Sequence, residues 1–441
     1  MTGRDRALVV GAGYGGLLAA QVLATRFRQV VLVDRDDITD SDQPRRGVPQ
    51  GHHPHYLLEH GAHTLENLLP GLRQAVTGDG VATRDFGSDA RFLLPSGWTP
   101  RVPTGIQIQS MTRPYLEQQI RRRVLDHPNL TLRCATPVDR VVVRAGRVRG
   151  VRTGDEVIEA DLVVAATGRG NVVGTWLESA GYGPVPERTV AAEVTYTTRT
   201  YPTAPPDLDA CLAVLLYAPL QQRGGGVLAV EKGRSVLALF GYGAHRPPLD
   251  DDGFLRFARS LPDPCLADFL ATAPPHVHAH RFIDRGNRWR LVHQVRSWPD
   301  GLAVLGDALC TFNPIYAQGL TVAAMEAQAL GESLDRHEDC RTFHKRCARI
   351  IRVPWLMSTS SDMAWSLPRA PWAARAAHWY STRLVDRVPT DPELYRVFAG
   401  VQHMRRSPAA LAAPSVVAKA LRPRPAAGTV RPTRSVKTSG S

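Results

Sequence analysis

Ala7-Leu8-Val9-Val10-Gly11-Ala12-Gly13-Tyr14-Gly15-Gly16, followed by Leu17-Leu18-Ala19-Ala20-Gln21-Val22-Leu23, opens the chain with two periodicities joined by glycine. The first four residues form a short apolar run of the kind that makes a buried parallel strand. The residues after Gly16 continue with helical apolar spacing. Between them, Gly11 permits a tight turn, Gly13 lets backbone approach a diphosphate, and Gly16 allows close helix–strand packing. The helix N-terminus presents free N–H groups and a partial positive charge to that anion. Val30-Val31-Leu32-Val33 then predicts a second buried strand. It ends in Asp34, about 20 residues beyond the glycines, where an acid bonds ribose hydroxyls. A glycine-rich turn of an unrelated fold does not account for strand, helix, strand and terminal acid together.

A second element lies far downstream. Leu302-Ala303-Val304-Leu305 reads as a core strand with Gly306-Asp307 at its end, where open α/β sheets bind ligands. After Phe312-Asn313-Pro314-Ile315-Tyr316-Ala317-Gln318, a helix is expected from Gly319 through Leu320-Thr321-Val322-Ala323. Taken with the N-terminal turn, this pair points to FAD, with Asp307 on a ribitol hydroxyl and the helix dipole facing the flavin. An ordinary strand–loop–helix corner would look the same taken alone.

The fold class that follows is α/β. A Rossmann-like FAD-binding domain with a parallel sheet is interleaved with a mostly antiparallel substrate sheet and followed by C-terminal helices. We assign residues 1–75, 110–186 and 296–336 to the first domain, and 76–109 and 187–295 to the second. A helical region covers 337–420 and a disordered basic tail 421–441. The β-prone stretch Val190 to Tyr201, with Cys211 to Tyr217, Gly226 to Val230 and Ser235 to Phe240, carries the substrate sheet. A helix is expected from Arg113 through Leu125, then strands at Leu130 to Arg133 and Val138 to Val143.

Composition bounds the remaining classes. At 441 residues and 43% hydrophobic, the chain can bury a large core in two intimately connected domains. The net charge of +13 is almost entirely arginine, because lysine occurs only at 232, 345, 419 and 437. Part of it sits in the acid-free tail at Arg422, Arg424, Arg431, Arg434 and Lys437. No basic stripe with interleaved aromatics marks a nucleic-acid partner. Six cysteines without CxxC pairing suit reduced thiols in a cytoplasm. No apolar run reaches 18 residues, so stable membrane insertion is not expected. There is no GxSxG elbow and no Walker lysine.

Other constellations are ambiguous by themselves. In Arg45-Arg46-Gly47-Val48-Pro49-Gln50-Gly51-His52-His53-Pro54-His55, an arginine can neutralise diphosphate and the histidines can line a flavin pocket. A solvated basic loop is the plainer reading of the histidines. For His52, His53 and His55 no nearby cysteine or carboxylate completes a metal set. His276, His278 and His280 share a strand face and could form a metal site, but an exposed face of the second sheet is the plainer reading, and no metal is assigned. Arg113 either leans toward the phosphates or is solvated. Arg199 and Tyr201 also share a face, either lining the substrate cavity or forming a surface arginine beside a packed tyrosine.

The assembled pieces resemble the FAD-dependent monooxygenases related to para-hydroxybenzoate hydroxylase, and within them actinobacterial tailoring enzymes of the polyether epoxidase type. The resemblance rests on Gly11 to Gly16, Arg45 to His55, Asp161 to Gly170 with Trp176-Leu177-Glu178, Trp298-Pro299-Asp300-Gly301, Gly306-Asp307 and Phe312 to Gly319. It covers roughly residues 5 to 335. It departs at His52, where relatives usually have arginine, and at Ala317, where they usually have glycine. By position it implies that Asp34 binds ribose, Arg45 and Arg113 the diphosphate region, and that Val138 packs by adenine. Asp307 and Gly319 would contact ribitol and flavin.

The implied reaction is epoxidation or hydroxylation of an apolar polyketide- or terpenoid-like intermediate in secondary metabolism such as antibiotic biosynthesis. Reduced FAD would react with O2 to give a C4a-hydroperoxide, with NADPH or a partner flavin reductase supplying electrons. No side-chain acid–base pair is required and none is assigned. The alternative is a FAD-containing non-redox cyclase performing a [4+2] cycloaddition. Halogenation expects a Trp-x-Trp-x-Ile-Pro segment that the chain lacks.

Overall fold

The computed structural model describes residues 5–38, 43–45, 47–205, 208–217, 220–365 and 372–422. Arg46 and the tail from Pro423 onward lie outside the described residues. The strand Arg6–Val10 pairs in parallel with Gln29–Val33 on one side and Leu162–Ala165 on the other. Leu130–Arg133 and Leu302–Val304 complete a five-stranded parallel sheet at its two edges. Ala7, Leu8, Val9 and Val10 are all buried, as a strand covered by helices on both faces requires. Burying a leucine or valine side chain contributes about 1.5–3 kcal/mol. The helices Tyr14–Ala24, Arg113–Leu125 and Gln318–Asp335 pack around this sheet.

The second sheet has eight strands. Cys310–Thr311, His278–Arg290, Glu187–Tyr201, Ser235–Tyr242, Arg223–Ala229, Cys211–Val214, Ala90–Leu94 and Gly97–Trp98 follow one another in space. All neighbours are antiparallel except Cys211–Val214 beside Ala90–Leu94. Alternation sorts its residues by a period of two. Leu237 and Leu239 turn toward the helices Asp251–Arg259 and Cys265–Thr272. Ala238, Phe240 and Tyr242 turn the other way, into a cavity.

The same alternation settles Arg199 and Tyr201. Arg199 is buried on the helix-covered face, stacked 4.1 Å over Phe254 and paired with Asp251 at 2.8 Å. It neither lines the cavity nor lies at the surface. The helices Cys340–Met363, Trp372–Arg387 and Pro392–Gln402 close the cavity from the far side. All six cysteines are unbridged. No helix of the described residues is long and apolar enough to cross a membrane.

Candidate functional site

The three glycines of the first turn meet three different constraints. Gly11 has φ +101°, and a Cβ there would lie 2.4 Å from Ala166 O. A Cβ on Gly16 would lie 1.7 Å from Gly11 O, so this glycine serves packing and does not line the cavity. Gly13 is open: the nearest atom to its added Cβ is Arg45 Nη2 at 3.7 Å.

Asp34 ends the strand Gln29–Val33 and is buried. Its Oδ2 accepts from Ala12 N at 2.6 Å, its Oδ1 from Asp36 N at 2.9 Å, and Arg45 Nη1 lies 3.4 Å away. Arg45 Nη2 also donates to Ala12 O and to Glu117 Oε2, both at 3.1 Å. Arg113 donates to Glu117 Oε1 at 2.9 Å and to Gln50 at 2.8 Å. Arg113 is therefore not solvated. Glu117 joins both arginines to the helix N-terminus, because its Oε1 accepts from Tyr14 N at 3.2 Å. Burial opposes its ionisation, but Arg113 and Arg45 outweigh that and hold the carboxyl below its usual range. Glu117 was missed in the sequence, although its spacing four residues beyond Arg113 is a helical ion-pair signal.

The downstream corner is tied just as closely. Gly306 takes φ +66°, and its N–H donates to Glu326 Oε2 at 2.6 Å. Glu326 lies on the helix Gln318–Asp335, and burial pushes its carboxyl up to about 8. Arg290 crosses from the second sheet, donating to Ala308 O and to Gly170 O, each at 2.8 Å, while pairing with Glu187 at 2.9 Å. One guanidinium thus fixes both the Asp307 corner and the turn after Leu162–Ala165.

Ala317 adopts φ 53°, ψ 24° immediately before the helix. This left-handed conformation explains why glycine suits the position, and alanine there costs about 1 kcal/mol or more. Ala317 gives the helix no side-chain cap, and nothing lies within 4 Å of an added Cβ at Gly319. The helix N-terminus therefore opens into the cavity.

The histidine-rich loop is not a solvated one. His53 is 8% exposed, with Nδ1 2.6 Å from Thr198 Oγ1. Its Nε2 is buried without a hydrogen-bond partner in the structure. Burial, then the neighbouring histidines, lowers its pKa to about 3, and burial takes His55 to about 4. Both imidazoles are neutral and line the cavity. His52 stacks on His280 with ring centroids 3.4 Å apart. Among the described residues, no three His, Cys, Asp or Glu side chains gather at metal spacing.

Opposite His53 lies a polar network that the sequence did not reveal. Asp362, buried near the end of Cys340–Met363, accepts from Asn287 at 2.5 Å, Asn313 at 3.1 Å and Tyr316 at 3.2 Å. Asn313 Oδ1 in turn accepts from Tyr196 OH at 3.3 Å. Burial pushes the Asp362 carboxyl up to about 6, against the opposing effect of those three donors. The only hint was Ser358-Thr359-Ser360-Ser361-Asp362, a run of weak helix formers inside a helix.

These parts share one cavity of about 1230 Å³, larger than a typical single-ligand pocket. Gly11, Gly13, Asp34, Arg45, Arg113, Val138, Asp307 and Gly319 all line it. Part of the same cavity is an apolar chamber walled by Phe92, Leu94, Leu228, Leu384 and Phe398. Two helix N-termini and open glycines face one elongated space, which fits a dinucleotide with a second ligand beside it.

Comparison with known proteins agrees with this geometry. The family described as FAD binding domain matches residues 5–339. Protein Rv3254 of Mycobacterium tuberculosis (strain ATCC 25618 / H37Rv) is 31% identical over 438 residues, covering 90% of each chain. The myxobacterial chondrochloren halogenase CndH shares the fold at a TM-score of 0.63 and 17% identity, over 92% of this chain and 98% of its own. The p-nitrophenol 4-monooxygenase PnpA from Pseudomonas putida DLL-E4 does so at 0.61 and 16%, over 92% and 100%.

Proposed function

The chain belongs to the FAD binding domain family, and on that footing we propose that it is a FAD-dependent monooxygenase acting on an apolar substrate. Its proposed kinship within the family is with the polyether epoxidase-type tailoring enzymes, and its substrate a polyketide- or terpenoid-like intermediate of secondary metabolism. The observation that carries this reading is the continuity of the cavity, from the glycine turn past the Asp307 corner into the apolar chamber.

FAD is the cofactor, and when bound it supplies the redox and oxygen-activating chemistry. The chain's own residues bind, orient and exclude water. In this reading Asp34 holds the ribose, Arg45 and Arg113 the diphosphate, and Val138 packs against adenine. Asp307 takes the ribitol, and Gly319, with the helix N-terminus behind it, faces the flavin ring. Glu117 positions both arginines. His53 presents a neutral imidazole whose Nε2 is available to a ligand. The chamber's apolar walls keep water from the reacting atoms.

The net reaction places one oxygen atom of O2 into a C=C or C–H bond and releases the other as water. NADPH, directly or through a partner reductase, provides the two electrons. Six unbridged cysteines support a cytoplasmic site of action.

The test is to incubate the FAD-loaded protein with polyene and terpenoid probes, NADPH and isotopically labelled O2. Product carrying one labelled oxygen is expected. Conversion that proceeds equally without O2 and NADPH would instead assign the chain to non-redox cyclisation.

A further inference from the structure

The chamber is not apolar throughout. Tyr56, Cys211 and Tyr395 line the same cavity and belong to the same packed cluster as its walls. They come from elements far apart in sequence: the strands Pro54–Tyr56 and Cys211–Val214 and the helix Pro392–Gln402. Their polar ends are neighbours. Burial first, then Cys211 and Tyr395 nearby, opposes the ionisation of Tyr56. Burial first, then Asp85 and Cys211, opposes that of Tyr395.

These groups are donors without acceptors. Tyr395 is 1% exposed, and its hydroxyl is buried without a hydrogen-bond partner. Thr99, whose hydroxyl accepts from Phe92 N at 3.1 Å, stands beside Tyr395 without reaching hydrogen-bond geometry. Tyr56 OH and Cys211 Sγ likewise donate to nothing among the described residues. Burial takes the Cys211 thiol up to about 12 and both phenols well above their ordinary range. All three therefore keep their protons at neutral pH. A buried donor left unpaired is costly, and native interiors seldom keep several together. A few polar groups set among apolar walls are the pattern of a pocket that orients a ligand.

Charge narrows what that ligand can be. Among the described residues, the arginines lining the cavity are Arg35, Arg45, Arg113 and Arg169, and none lies on a strand or helix that walls the chamber. The charges that bear on the cluster are acids, Asp85 on Tyr395 and Asp209 on Cys211, the latter paired with the exposed Arg101 at 2.8 Å. We infer that Tyr56, Cys211 and Tyr395 form the substrate's anchoring site, which takes an uncharged oxygen acceptor on an otherwise apolar molecule. The inference rests on the apolar-substrate reading of the cavity and narrows it to ketones, esters, ethers and alcohols. A pure hydrocarbon leaves the donors unpaired. A carboxylate meets no cation to offset its loss of water.

Equilibrium dialysis of the oxidised, FAD-loaded protein against three probes on one carbon skeleton tests it: farnesene, methyl farnesoate and farnesoate. The ester should bind, and farnesoate at least about tenfold more weakly, because its carboxylate enters without a cation. Tyr395→Phe and Tyr56→Phe should each weaken the ester by about fivefold to tenfold, the loss of one hydrogen bond. The same variants should leave farnesene affinity unchanged or raise it, because they remove donors that the hydrocarbon cannot pair. Without ligand, Tyr395→Phe should melt no lower than the parent, since its hydroxyl bonds nothing within the fold. Unchanged FAD content and circular dichroism establish that both variants are folded.

Failure of the ester to bind the parent would overturn the proposal. So would ester binding indifferent to both phenylalanine variants, or weakened no more than that of farnesene, which would make the phenols ordinary walls. Farnesoate binding more tightly than the ester would place a cation at the site and equally overturn it. Lower melting of Tyr395→Phe would show its hydroxyl to be paired within the fold, with the same consequence. No NADPH or O2 enters this readout, so oxygen incorporation without ester discrimination strikes the anchoring site alone and leaves the monooxygenase reading standing.

Discussion

A methyl group added at Gly16 would lie 1.7 Å from Gly11 O, while one added at Gly13 meets nothing closer than 3.7 Å. The two glycines should therefore fail differently. Gly16→Ala is expected to lose roughly 3 kcal/mol of stability through overpacking against rigid backbone. Gly13→Ala should melt within about 1 kcal/mol of the parent and bind FAD about tenfold or more weakly, since its Cβ projects into the cavity. Thermal unfolding and FAD titration of both variants separate the roles. Asp362 gives the second prediction at this scale. Its folded value of about 6 lies above the ordinary 3.8. The native state therefore binds the proton more tightly, and the associated stability is full below pH 3.8 and lost as pH rises through about 6. Wild-type stability relative to Asp362→Asn should fall by on the order of 2–3 kcal/mol between about pH 4 and pH 7.5. A difference independent of pH in chemical denaturation would contradict it. The glycines and Asp34 were legible because motif spacing alone places them. Glu117, Asp362 and the burial of His53 were not, because each acquires its role from partners distant in sequence.

Arg290 shows how separate elements hold the site in shape. It reaches from the strand His278–Arg290 to carbonyls at Gly170 and Ala308, joining the second sheet to two corners of the first. Arg290→Met should cost about 2 kcal/mol, because it leaves the buried Ala308 carbonyl without its side-chain donor and removes the ion pair with Glu187. It should also loosen FAD, because the Asp307 corner loses its tie. Differential scanning calorimetry with and without FAD reads both effects, and an unchanged affinity would show the corner to be held by Glu326 alone. The elements themselves were largely readable. The helix Arg113–Leu125 and the strand Leu130–Arg133 have the ends that their patterns predicted. Pairing was not readable. The parallel contact of Cys211–Val214 with Ala90–Leu94 and the bulge between Ala191 and Val194 depend on segments far apart in sequence. Arg199 was misjudged for a related reason: period two tells which residues share a face, but only the packed helix Asp251–Arg259 tells which face is covered.

For the molecule as a whole, two distant parts of the sequence converge on one cavity. Two backbone turns at opposite ends of the family region border one cavity that continues into an apolar chamber, and we propose that a single FAD spans the two turns. The cofactor half of this arrangement was legible in sequence because phosphate and flavin recognition use backbone geometry, which leaves glycine signatures. The chamber was not, because many apolar patterns build walls of similar shape, and three C-terminal helices complete it. The most direct test is titration of the FAD-stripped protein with FAD, comparing the parent with Gly13→Ala and with Asp307→Ala. One FAD per chain is predicted, with either substitution alone weakening it by about tenfold or more. A protein that takes up no FAD, or one whose affinity is indifferent to either turn, would contradict the account.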